Sequence, residues 1–372
     1  MGAKTGSQAF HGGRLLDAER EFGLPGDQFI DFSSNLNVLA PSISATEWGS
    51  WVLQARRYPE ADSETLRRRL GEFYGMAPGC ILPTAGAIES LYLAARLFEG
   101  RKVAIIEPGF GDYGRSFATV RCTCAQVVLP PEMWYEPAEK WADLLAPFDV
   151  AVFGNPNNPT GSFHRKDDLV RLMSRGWARP KSWMIDESFL EFVENAENET
   201  LFSVLQEFPS LIVLRSLTKS WGIPGLRLGF LATFGSTDRL RRMQAPWSVN
   251  SIAEAWSRSF LTAARRAELA LSFEALRLEK ERFARRLSEI PGIRLHRGAA
   301  NFLLLELVSE SLEAGNLYRD LGRGGLLVRV CDSFRGMTAG RFIRVAVRSA
   351  FENDRLAQEL SELCDEKIRR VA

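Results

Sequence analysis

Leu211-Ile-Val-Leu-Arg-Ser216-Leu-Thr-Lys219-Ser-Trp-Gly-Ile-Pro-Gly-Leu-Arg227-Leu-Gly229 decides how this chain of 372 residues is read. Its first four residues form an apolar, β-branched run, short enough for a buried strand. The lysine that follows leads into Gly222, Pro224 and Gly225, which make a tight, stiff loop. Ser216 and Arg227 flank that lysine and could hold an anion beside it. A lysine that is partly desolvated and close to other cations loses its proton more readily and can attack a carbonyl to form a Schiff base. Taken alone, the stretch is equally a surface loop with a solvated lysine.

The neighbouring stretches repeat the pattern. Lys102-Val-Ala-Ile-Ile106 runs into Pro108-Gly109-Phe110. Asp149-Val-Ala-Val-Phe153 runs into Asn155-Pro-Asn-Asn158-Pro-Thr-Gly161, and Ser182-Trp-Met-Ile185 runs into Asp186-Glu187. Continuous apolar strands alternating with helices imply an α/β fold, with a mainly parallel central sheet covered on both faces. In such sheets ligands bind outside the carboxyl ends of the strands. Phe110, Asn158, Asp186 and Lys219 all follow strand ends, so they can converge on one cleft. Thr84-Ala85-Gly86 opens directly onto the helical pattern Ala87-Ile-Glu-Ser90-Leu, where free backbone N–H groups and the positive helix end favour an anion. Small residues also start helices for packing reasons alone.

Past Pro246 the pattern changes. Trp256 to Leu287 carries Arg and Glu at helical spacing, and short strands with interleaved helices follow. This predicts a smaller α+β domain over 261–372, a large domain over 46–260, and an N-terminal segment 1–45 that joins the small one. The net charge of +1 gives no reason to expect nucleic acid or an anionic membrane as a partner. Five cysteines, odd in number and sparse, fit a reducing cytoplasm better than a disulfide framework. Cys122-Thr-Cys124 has no second ligand pair nearby, and His11, His164 and His296 are far apart in sequence, so no metal is expected. Met1 to Phe10 lack the apolar core of a secretory leader, and no apolar run is long enough to span a membrane.

Pyridoxal phosphate would use the whole cleft. It needs a lysine for its aldehyde, a carboxylate at its ring nitrogen, anion donors for its phosphate and an aromatic face for its ring. Lys219, Asp186, the turn Thr84–Gly86 with Ser216 and Arg227, and Phe110 can supply these, and Asn158 can donate to the ring hydroxyl. A dinucleotide would want G-x-G-x-x-G, which Thr84-Ala85-Gly86 lacks.

Asn155-Pro-Asn-Asn-Pro-Thr-Gly161, Asp186-Glu187-Ser-Phe189 and Ser216-Leu-Thr-Lys219 with Arg227 resemble the signatures of the fold-type I, class I/II aminotransferases. His11-Gly-Gly, Asp31-Phe-Ser-Ser-Asn-Leu-Asn37, Arg57-Tyr-Pro59, Pro246-Trp-Ser-Val-Asn250 and Arg344-Val-Ala-Val-Arg348 are similar to the threonine-phosphate decarboxylases of cobalamin biosynthesis, whose near relatives are the histidinol-phosphate aminotransferases. The resemblance implies that Lys219 carries the cofactor and that Asp186 and Asn158 bind its ring. It implies that Phe110 stacks on the ring, and that Ser216, Arg227, Thr84, Ala85 and Gly86 hold its phosphate. Tyr58 would reach the neighbour's cofactor across a homodimer interface. Arg344 would take the substrate carboxylate beside Asn35, with His11, Asn250 and Arg329 at the far end. Thr84-Ala-Gly-Ala87 departs from the decarboxylases' Gly-Asn-Gly-Glu-like run, and Asn37-Val-Leu-Ala40 from their Asn-Pro-Leu-Gly. Both changes bear on the substrate more than on the chemistry. The expected activity is decarboxylation of a phosphorylated amino acid. A histidinol-phosphate-type aminotransferase, a paralogue with another amino-acid substrate and a cofactor-binding regulator without turnover are the alternatives.

Overall fold

Alternate residues of the central strands enter opposite cores. Ala151, Phe153, Trp183, Ile185, Leu211 and Val213 pack on one side, and Val150, Val152, Met184, Ile212 and Leu214 on the other. Both faces of the sheet are therefore buried, which is why these strands carry unbroken apolar runs. Burying each such side chain contributes about 1.5–3 kcal/mol before chain entropy is counted.

The computed structural model describes residues 11–175 and 182–370; the leader reading of Met1 to Phe10 lies outside them. The seven-stranded sheet has the order Ile81–Thr84, Gly229–Ala232, Leu211–Ser216, Ser182–Asp186, Val150–Gly154, Lys102–Glu107, Thr123–Val128. The five strands from Leu211–Ser216 onward run parallel. Gly229–Ala232 is antiparallel to both of its neighbours, so the sheet is mixed. Gly229 allows that close fit: a Cβ there would lie 2.7 Å from the Ala87 nitrogen and 2.7 Å from the Arg215 oxygen.

A four-stranded antiparallel sheet follows, in the order Arg329–Val330, Phe342–Ala346, Phe302–Leu307, Ile293–His296. Helices Ala263–Ser288, Ala314–Arg323 and Ala350–Arg369 contribute Phe283, Leu317 and Leu356 to its core. Ile30–Asp31 pairs in parallel with Leu326–Leu327, and Phe32 is buried in the same core. Ser349 and Glu352 form a capping box at the start of the last helix, just past the strand that carries Arg344. Among the described residues no helix is long and apolar enough to cross a membrane.

Candidate active site

The carboxyl ends of the parallel strands open into a cavity of about 480 Å³, lined among others by Phe110, Asn158, Asp186 and Lys219, with Arg329 and Arg344 from the second sheet. The four residues expected to converge from strand ends do so.

Asp186 ends its strand with both carboxylate oxygens engaged. The Ser188 backbone N–H donates to Oδ1 at 2.9 Å, and the Tyr113 hydroxyl donates to Oδ2 at 3.0 Å. Burial pushes this carboxyl above its ordinary range, and the hydrogen bonds oppose that shift. A buried carboxylate facing a cavity is suited to a protonated ring nitrogen. Lys219 lies on the single helical turn Leu217–Ser220, directly after the strand Leu211–Ser216. Burial, followed by the charges of Arg344 and Arg227, brings its ammonium down to about 8, so its amine is available near neutral pH.

Arg227 lines the cavity in a left-handed conformation, φ 51°. Its guanidinium lies against Gly86, where a Cβ would come within 2.6 Å of Nη2. Gly86 itself has φ 83° and ψ 165°, a region open essentially to glycine alone. Ser216 lines the cavity too, with its hydroxyl 2.7 Å from that of Thr218. The turn differs from the sequence expectation. The Thr84 hydroxyl points away, bonded to Ser90 at 2.7 Å, and the Ala85 N–H is taken by Glu89 at 2.6 Å. The wall at this place is Ala87 and Ile88, in the first turn of helix Ala87–Ala95. Thr84 and Ala85 therefore shape the cradle without lining it, and Gly86 serves by leaving room for Arg227.

Arg344 is buried. It donates through Nη2 to the Ser33 carbonyl at 2.9 Å and through Nη1 to Asn158 Oδ1, while Nε has no partner. Burial, with Arg329 adding, brings its guanidinium down to about 10. Asn35 is buried beside it on the wall, with an unpartnered Oδ1. Arg329 donates to the Ser333 hydroxyl at 2.6 Å, and burial lowers its pKa. His11 stands at the edge, its ring 5.6 Å from that of Phe110 and its Nε2 3.1 Å from Asp112 Oδ2.

Two further residues lie off the wall of this cavity: Asn250, and Tyr58, whose expected place is at the neighbour's site. Asn250 is the N-cap of helix Ser251–Phe260. Its Oδ1 accepts from the Ala253 N–H at 2.9 Å, capping the helix, and its amide donates to the Leu226 carbonyl at 2.9 Å, just before Arg227; Asn250 itself does not line the cavity. Tyr58 is 86% exposed, off the cavity wall and beside Trp247, with ring centroids 5.5 Å apart. Arg348 ties the Asp31 carbonyl to the Glu352 carboxylate. Sequence reasoning missed Tyr113, Ser188, Arg115 and Ser333. Tyr113 had one usable signal, its place three residues after Phe110 at the start of helix Asp112–Phe117.

The donor set fits pyridoxal phosphate. A low-pKa lysine, a buried carboxylate, an aromatic face and an anion cradle at a helix start face one cavity, and Gly86 and Gly229 keep the cradle open. The sequence matches the family model "Aminotransferase class I and II" over residues 30–360, and the chain belongs to that family. It is similar to the threonine-phosphate decarboxylase of Salmonella typhimurium, 33% identical over 94% of this chain and 95% of that protein. A histidinol-phosphate aminotransferase of Thermococcus gammatolerans is 30% identical over 82% of this chain and 83% of that protein. Among solved structures, a decarboxylase from Sulfurospirillum multivorans shares the fold with a TM-score of 0.84 at 24% identity, covering 97% of this chain and 94% of that one. A histidinol-phosphate aminotransferase from Sinorhizobium meliloti, solved with pyridoxal 5'-phosphate, has a TM-score of 0.81 at 19% identity, covering 100% of both chains.

Proposed function

We propose that this protein is a pyridoxal-phosphate enzyme that decarboxylates an O-phosphorylated amino acid of the threonine phosphate kind, as in cobalamin biosynthesis. The observation that carries this is the charge on the cavity wall. Arg115, Lys219, Arg227, Arg329 and Arg344 face it, against the carboxylates Asp112 and Asp186. The cofactor uses Lys219, Arg227 and Asp186. Arg344 suits a substrate carboxylate. Arg329, Arg115 and His11 remain for a second anion, and a substrate phosphate supplies one.

Bound there, pyridoxal phosphate supplies an electron sink for the bond that breaks at the substrate α-carbon. Asp186 holds the proton at the ring nitrogen. Lys219 carries the cofactor and moves a proton at the reacting carbon. Asn158 and Arg344, already bonded to each other, orient the ring hydroxyl and the carboxylate together. Asn35 offers its free Oδ1 to an N–H. Phe110 and Phe189 wall the ring region and keep water out.

A homodimer is part of the proposal. Tyr58, Leu53, Val52 and Trp247 are at least half exposed, and an interface there would bring Tyr58 to the neighbour's cofactor phosphate. The division into 1–45, 46–260 and 261–372 is proposed on the same footing, supported by the pairing of Ile30–Asp31 with Leu326–Leu327. A cytoplasmic location agrees with the free thiols of all five cysteines.

Product analysis tests the activity. Incubation with threonine phosphate should release carbon dioxide and aminopropanol phosphate. Oxoglutarate-dependent keto-acid formation without carbon dioxide would refute decarboxylation and favour the histidinol-phosphate-type aminotransferase, which the 30%-identical relative supports. Light scattering in solution tests the dimer; a monomer at micromolar concentration that still turns over removes Tyr58 from the site.

A further inference from the structure

Asp112 is a carboxylate on a wall that should receive an anion. Its side chain is only 6% exposed, and its two oxygens are divided between an imidazole and a guanidinium: Oδ2 is 3.1 Å from His11 Nε2, and Oδ1 is 3.3 Å from Arg115 Nη1. All three residues line the cavity. They come from different parts of the chain. Asp112 and Arg115 lie on the short helix that follows the strand Lys102–Glu107, in the large sheet's half. His11 lies on a segment packed against the other half. The Gly13 N–H donates to the Ser33 hydroxyl at 2.9 Å, and a Cβ on Gly12 would meet the Ser33 carbonyl at 2.0 Å. Asp112 thus joins two half-exposed side chains, the His11 imidazole and the Arg115 guanidinium, at the cavity wall.

We propose that Asp112 is a positioning residue that sets the preference for a phosphorylated substrate, acting through His11 and Arg115. This rests on the phosphate reading given above. With Nε2 facing Asp112, the imidazole keeps Nδ1 for a ligand. With one arm of its guanidinium on Asp112, Arg115 keeps the rest of its fork for phosphate oxygens. Arg329, bonded to Ser333, is a further guanidinium on the same cavity wall. Without the carboxylate, two long or exposed side chains must be ordered by the substrate itself, and binding weakens by that ordering cost.

The sign of the effect is the test. A bare negative charge beside an anion site repels the anion, so neutralising it would tighten phosphate binding. A positioning carboxylate gives the opposite result. D112N should raise KM for threonine phosphate and the inhibition constant of inorganic phosphate about tenfold, one charge-assisted hydrogen bond's worth. The smaller share of the loss should fall on kcat. Binding of unphosphorylated threonine should not weaken, and D112E, which keeps the carboxylate, should recover most of the loss. Unchanged or tighter phosphate binding in D112N overturns the positioning role while leaving the phosphate reading in place. A wild-type enzyme that binds threonine as well as threonine phosphate overturns both. If D112N melts early, D112E and the pair of single variants H11A and R115A carry the test: loss of phosphate binding in neither single variant overturns the proposal.

Discussion

Tyr113→Phe isolates what holds Asp186 in place. The Tyr113 ring is 2% exposed and packs edge-on against Phe110, with centroids 5.6 Å apart at 80°, so phenylalanine keeps the packing and removes only the hydroxyl. That hydroxyl donates to Asp186 Oδ2 at 3.0 Å, and the Ser188 N–H still serves Oδ1 in the variant. A hydrogen bond to a charged group is worth about 1.5–3 kcal/mol, which is about ten- to a hundredfold in an equilibrium constant. Burial already favours the neutral carboxyl at Asp186, and losing a donor favours it further. A carboxyl that takes up its own proton cannot anchor one on a cofactor ring. Fluorescence titration of the cofactor-free protein should show pyridoxal phosphate binding weakened about tenfold or more, with kcat lowered as well. If affinity and kcat both stay within about twofold while the melting temperature falls, Tyr113 is a packing residue and the account of Asp186 is wrong.

Other perturbations separate the remaining parts of the site. Gly86→Ala puts a Cβ 2.6 Å from the Arg227 guanidinium and forces a conformation open essentially to glycine, a strain of about 1–3 kcal/mol; equilibrium dialysis should show weaker cofactor binding with an unchanged circular dichroism spectrum. Lys219 releases its proton at about 8 in the folded protein and at 10.5 when unfolded, so the unfolded chain holds more protons between those values and the cofactor-free protein gains stability as pH rises across that window. Lys280, brought down to about 8 by burial and bonded to the Ala300 carbonyl, acts in the same direction, so Lys219→Met should weaken the pH slope of the urea midpoint without abolishing it. Glu107 has the opposite sign: burial raises its carboxyl to about 7 from 4.5, so its contribution to stability falls as pH rises through that interval. Glu107→Gln keeps an acceptor for the Gly109 N–H; calorimetry should find it more stable than wild type at pH 8 and no more stable at pH 4.

Phe110, Asn158, Asp186 and Lys219 were legible because each lies at or shortly after the end of an unbroken apolar strand, and alternation into two cores makes such strands conspicuous. Gly229–Ala232 was not legible: four residues after a glycine-rich loop look like more loop, and the antiparallel pairing that makes them a strand lies in other stretches of chain. Asn250 was placed near the substrate by a family likeness, while an Asn before Ser-Ile-Ala-Glu also carries the local mark of a helix cap, the role its Oδ1 takes. Tyr113 and Ser188 escaped because their importance lies in a hydrogen bond to Asp186 and not in any pattern of their own. The cavity wall begins at Ala87, past the expected turn Thr84–Gly86, since small residues around a turn do not reveal which of their N–H groups are already taken, and Glu89 takes that of Ala85.

Arg344 has a double employment that constrains how this site could be changed. It stands in the small sheet, yet its hydrogen bonds run to Asn158 on the loop after a large-sheet strand and to the Ser33 carbonyl near the chain's beginning. Three distant parts of the polypeptide are fastened by the group that should greet the substrate. A breeder of new specificities, natural or in the laboratory, therefore cannot exchange this arginine as a recognition element alone. Any replacement must also re-stitch the seam, and routes to a different acidic or neutral substrate should run through His11, Arg115, Arg329 and Ser333 first, leaving Arg344 where it is.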